Sequence, residues 1–104
     1  MYFNPDSANL TPRAVQLLKE ISGVLTSTNH KLVIFGHCAI AGTEKGRVQL
    51  SVNRADAVRR ILSQTIAPER ITNVRGIGAS DPVTYDPQRQ FLNRRVVIRI
   101  NDSP

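Results

Sequence analysis

The chain has 104 residues, a net charge of +6 and an apolar fraction of 40%. That is one domain, able to bury roughly two thirds of its unfolded surface and fold alone. No apolar run reaches the eighteen or so residues of a membrane span, and one cysteine, Cys38, excludes an internal disulfide. The basic residues are scattered, and three Phe, two Tyr and no Trp offer few platforms for bases. The charge therefore does not point to nucleic acid.

Taken in chain order, Tyr2-Phe3 reads as a short edge strand followed by a polar turn, Asn4-Pro5-Asp6-Ser7. Met1 running straight into that strand suggests a domain excised from a longer protein, with residues 1–104 forming a single unit. Thr11-Pro12 starts a helix, since threonine caps free N–H groups and proline at the first position loses nothing. Ala14, Leu17, Leu18, Ile21, Val24 and Leu25 give it one apolar face. Leu32 to Phe35 is a continuous apolar run, the pattern of a central strand covered on both faces. Gly36 to Gly46 reads as a loop, and a second helix spans roughly Val48 to Gln64.

Within that second helix Leu50, Ala57, Val58, Ile61 and Leu62 form one stripe, and Arg54 sits in its middle. A guanidinium there loses hydration that only an anion or a set of carbonyls replaces. Ile71 to Gly78 predicts a third strand, a polar loop carries Asp81-Pro82 and Asp86-Pro87, and Arg94 to Ile100 predicts the last strand. In the last strand Val96, Ile98 and Ile100 make one face drier than the other. The order β-α-β-α-β-β implies two helices on a mixed four-stranded sheet, a two-layer α/β sandwich.

Four blocks carry a resemblance. They are Phe3-Asn4-Pro5-Asp6-Ser7 with Leu10, then Ile34-Phe35-Gly36-His37, then Leu50 through Val58, and Asn93-Arg94-Arg95-Val96. Together they resemble the OmpA-like C-terminal domain of outer-membrane porin-like proteins, peptidoglycan-associated lipoproteins and flagellar stator proteins. The resemblance implies a non-catalytic module of the periplasm, associated with the outer membrane through a segment not present in this sequence. It implies no cofactor, and peptidoglycan or envelope proteins as partners.

In that family an aspartate and an arginine grip the ammonium and carboxylate of diaminopimelate in the wall's stem peptide. The arginine carries over onto Arg54. The threonine and aspartate positions of the glycine-histidine block fall on Cys38 and Ala39, and an asparagine position falls on Arg47. The cleft so implied has lost its acid and gained a base, so binding of diaminopimelate-type peptidoglycan is expected to be lost or altered. The alternative is a working wall tether that uses Arg54 and other contacts.

Two accounts of Arg54 stay open. An internal carboxylate or carbonyl, from Asp6, Glu44 or Asp81, neutralises it; or Arg47 and Arg54 form a cationic pocket for another anion. His37, Asn93 and Arg94 are expected to support the site. Arg94 and Arg95 should alternate faces, so that at most one borders it. His37 and Cys38 should likewise point apart, which argues against a shared metal ion, and His30 lies seven residues away. Neither a catalytic Cys38 nor a dinucleotide loop at Gly76-Ile77-Gly78 fits, the latter lacking the third glycine and the following helix. Those glycines instead suggest a tight turn where the backbone approaches the neighbouring loop.

Overall fold

The structure, a computed structural model, describes residues 1–101. Helix α1 spans Pro12–Leu25, strand β1 Lys31–Gly36, helix α2 Glu44–Leu62, strand β2 Ile71–Gly76 and strand β3 Val96–Asn101. Short 3-10 segments, Pro68–Arg70 and Pro87–Asn93, precede β2 and β3. The sheet order is β2-β1-β3, with β1 parallel to β2 and antiparallel to β3.

Thr11 caps α1 as the sequence predicts, its side chain accepting from the Ala14 N–H at 3.1 Å. The apolar face is narrower than expected. Leu18 and Leu25 are buried, but Leu17 and Val24 face solvent. Ser22 takes a buried place instead, donating its hydroxyl to the Leu18 carbonyl. Helix α2 begins earlier than predicted because Thr43 caps it, accepting from the Gly46 N–H. Gly46 therefore lies in the first helical turn, and the preceding loop ends at Thr43.

The expected four-stranded sheet is corrected to three strands. Tyr2 makes a single bridge to Arg95, flanked by hydrogen bonds from Phe3 to Arg94 and from Val96 to Met1. The ladder stops there because Pro5 lacks a donor and Asp6 turns the chain at a φ of 53°. A second correction concerns β1, whose covering is one-sided. Leu32 and Ile34 are fully buried under the helices with Val58, Leu62, Leu18 and Val96. Val33 and Phe35, on the other face, stay only half-buried beside the exposed Arg75 and Arg99.

Two glycines let the sheet approach α2. A side chain at Gly36 would collide with the Ser51 backbone, and one at Gly76 with Val52. Beyond β2 the chain turns at Gly78 (φ 61°), whose N–H donates to the Ser51 hydroxyl at 2.9 Å and whose carbonyl accepts from Cys38. The tight turn expected here thus contacts the loop after β1, and α2 as well.

Candidate functional site

The site begins with Arg54, which is fully buried on α2. Its Nε donates to the Ser7 carbonyl at 2.8 Å, Nη1 to His37 at 3.0 Å and Nη2 to Asn4 at 3.1 Å. The guanidinium also lies 5.3 Å from the Phe3 ring centroid, a cation–π contact. Its partners are thus carbonyls, and among the described residues none of Asp6, Glu44 and Asp81 forms an ion pair with it. The turn at residues 4–7 and the end of β1 aim three carbonyls at one point, and the α2 stripe brings the guanidinium there. Burial, and then the neighbouring Arg94, lower its pKa from the ordinary arginine value, while a Cys38 thiolate, formed only at high pH, and Asp6 act in the opposite direction.

In front of Arg54 opens a cleft of about 470 Å³ whose lining includes Asp6, Cys38, Ala39, Arg47, Gln90 and Arg94. Arg54 contributes to its wall but exposes no surface, so it backs the cleft without opening into it. Arg47 is half-buried, spending one Nη1 hydrogen bond on the Gly42 carbonyl at 2.9 Å. Arg94 donates its Nε to Phe3 at 2.9 Å. Ala39 presents only a methyl group. Asp6 is exposed on the rim and is the one acid among the lining residues.

Cys38 is buried in the wall and its thiol faces the Arg47 carbonyl at 3.3 Å. Burial raises its pKa, against the pull of Arg54 and Arg47, so the thiol stays protonated at neutral pH and is a poor nucleophile. His37 points the other way, as strand alternation predicts. It lines a separate hollow on the open face of the sheet, and its pKa is lowered to about 4 by burial, then by Arg95, against the opposite effect of Asp81. Arg94 and Arg95 alternate in the same manner, Arg94 bordering the cleft and Arg95 the hollow.

Asn93 is fully buried and uses its whole amide. Its Oδ1 accepts from Val83 and Thr84, while Nδ2 donates to the Thr84 carbonyl and to Gln90. Gln90 in turn accepts from the Ile40 N–H at 2.8 Å, tying the loop after β1 to the segment before β3. Of the sequence-predicted residues, Arg54, Arg47, Cys38, Ala39 and Arg94 come together at the cleft. His37 meets it only through its backbone, and Asn93 braces it from behind. Gln90 is a lining residue that sequence reasoning did not place there, and Asp6, named as a candidate partner of Arg54, lines the cleft without pairing with it. No group of three or more His, Cys, Asp and Glu gathers as metal ligands among the described residues.

Comparison with known proteins agrees with this architecture. The OmpA family matches residues 2–95. The peptidoglycan-associated lipoproteins of Pseudomonas aeruginosa and Pseudomonas putida are each 33% identical over 101 residues, covering 94% of this chain and 60% of theirs. The chain thus spans about three fifths of the length of those relatives. The crystal structure of the peptidoglycan-associated lipoprotein from Burkholderia pseudomallei superposes with a TM-score of 0.88 at 27% identity, over 96% of this chain and 87% of that one. The C-terminal domain of Helicobacter pylori MotB shares the fold, with a TM-score of 0.87 at 18% identity over 98% and 83% of the two chains. No helix among the described residues is long and apolar enough to cross a membrane.

Proposed function

The chain belongs to the OmpA family, and from that premise we propose that it is a non-catalytic cell-envelope module of the periplasm whose wall-binding cleft has changed its specificity. The family grip pairs an acid with the ammonium of diaminopimelate and an arginine with its carboxylate. Position 39, where the resemblance calls for that acid, is Ala39. Arg54 is engaged by three carbonyls and is closed to solvent. The cations that do border the cleft are Arg47 and Arg94. Such a cleft suits a carboxylate and offers a zwitterion little for its ammonium end.

The single observation that carries this reading is the Ala39 methyl in a cleft bordered by two arginines. Truncating one partner of a buried charge pair at an interface typically costs about 2–5 kcal/mol, roughly 30-fold to several thousand-fold in affinity. A weak tether does not survive that loss. The test is co-sedimentation with purified peptidoglycan beside the double variant Ala39→Asp, Arg47→Asn. We expect the natural chain to stay mostly in the supernatant and the variant to pellet. A natural chain that pellets strongly contradicts the reading, and a variant that also stays soluble shows that the missing acid is not the cause.

A second reading rests on Asp6. It is exposed on the rim of the same cleft and could take over the role of the acid missing at position 39, restoring a zwitterion clamp with Arg47. Under that reading the natural chain pellets and Asp6→Asn releases it.

A further inference from the structure

The open face of the sheet carries a hollow of about 270 Å³, lined by Phe35, His37, Ile77, Asp81, Arg95, Val97 and Arg99. Two features set it apart from an ordinary surface dimple. The His37 side chain is almost wholly buried, at 4% exposure, and its Nδ1 has no hydrogen-bond partner. The Arg95 Nη1 is likewise buried and unpartnered, while Nη2 reaches only the Asp81 carbonyl at 3.3 Å. A buried polar atom left unsatisfied costs free energy that folded chains rarely leave uncompensated. Both residues belong to the lining of one hollow, although the two nitrogens themselves are covered.

The chemistry of the walls narrows what the hollow can hold. Arg95 and Arg99 supply guanidinium groups, and neither forms an ion pair among the described residues. Arg99 lies 5.5 Å from the Phe35 ring centroid, so its charge stays close to the hollow. A guanidinium fork matches a planar carboxylate with two parallel hydrogen bonds. Phe35, Ile77 and Val97 give an apolar wall for a short hydrocarbon stem. The nearby Asp81 disfavours a doubly charged phosphate.

We propose that this hollow is a second binding site, separate from the cleft, for a carboxylate on a short apolar stem, held by Arg95 and Arg99 beside the His37 imidazole. The site lies beyond the wall-binding reading and does not depend on it. The carboxylate comes either from a free short-chain acid or from a glutamate side chain of a peptide, and both share the same contacts.

The test is an amide and imidazole NMR titration of the protein with butyrate, with a capped Gly-Glu-Gly peptide and with inorganic phosphate, at constant ionic strength. Saturable shifts at Val97, Ile77 and His37 are expected with a carboxylate, along with a rise in the His37 pKa, because a bound anion favours the imidazolium. Saturation by butyrate assigns the free acid, and tighter saturation by the peptide assigns the side chain. Arg95→Met should weaken binding by about tenfold or more, the loss expected for a charge-assisted hydrogen bond. Because Arg95 also holds the Asp81 carbonyl, Arg99→Gln is run beside it and should weaken binding to a smaller extent. Arg60→Gln, on an exposed part of α2, should leave binding unchanged. Shifts no larger than sodium chloride gives, shifts confined to Gly42 and Thr43, or preference for phosphate would overturn the proposal.

Discussion

At the end of β1 the backbone and the side chain of His37 face two different environments. Its carbonyl, on the α2 side, helps to surround Arg54, where three carbonyls and an aromatic ring meet one fully buried guanidinium. Its imidazole, on the open face, lies beside Arg95, where a ring nitrogen and a guanidinium nitrogen are buried without partners. The two cations differ both in depth, Arg54 being fully buried and Arg95 only partly so, and in company. Replacing hydration with oriented carbonyls lets a charge act as a structural rivet, whereas a guanidinium with one long hydrogen bond, to the Asp81 carbonyl, keeps donors to spare.

The comparison breaks most readily at the rivet. Arg54→Met keeps much of the volume but leaves the carbonyls of Asn4, Ser7 and His37 without their donor. At about 1.5–3 kcal/mol for a hydrogen bond to a charged group, and with two of the three carbonyls able to recover water, stability should fall by about 3 kcal/mol. Urea unfolding measures this, and a loss below 1 kcal/mol would show that the rivet is not structural.

Acid titration sharpens the other side. Since His37 has a folded pKa of about 4, below its ordinary 6.5, the unfolded chain binds more protons between those values. This contribution is therefore intact above pH 6.5 and is lost as pH falls toward 4. At about 1.4 kcal/mol per pKa unit the upper bound is near 3.5 kcal/mol, and water in the hollow brings the expected loss to about 2 kcal/mol. Unfolding curves across that range should be flatter for His37→Gln. Equal slopes in both proteins would remove the imidazole from the account.

The smallest effect is expected at Arg47. It spends a single hydrogen bond at the edge of the cleft, so Arg47→Met should change stability by about 0.5 kcal/mol or less. The contrast with Arg54 in the same unfolding assay separates a cation that builds the fold from one that borders the cleft.

Much of this division was legible in the residues. Helical spacing alone put Arg54 on the buried stripe of α2, and strand alternation separated His37 from Cys38 and Arg94 from Arg95. The acceptors of Arg54 were narrowed only to carboxylates or carbonyls, because backbone carbonyls carry no side-chain signature. The one-sided burial of β1 was misread because Val33 and Phe35 are as apolar as Leu32 and Ile34, and a run of four gives no period. The Tyr2-Phe3 edge does lie beside the last strand but counts as a fourth strand only in the sequence reading, because the turn at Pro5 and Asp6 leaves it room for one bridge. The Asn93–Gln90–Ile40 chain escaped notice because Pro87–Asn93 is kinked at Arg89 and carries no apolar repeat.

The most direct measurement is calorimetric titration of the domain with a diaminopimelate-containing stem peptide. With Ala39 in the cleft and Arg54 closed to solvent, the account predicts heats too small to fit a dissociation constant below about 1 mM, equivalent to about 4 kcal/mol of binding free energy. Micromolar binding by the natural chain would contradict it.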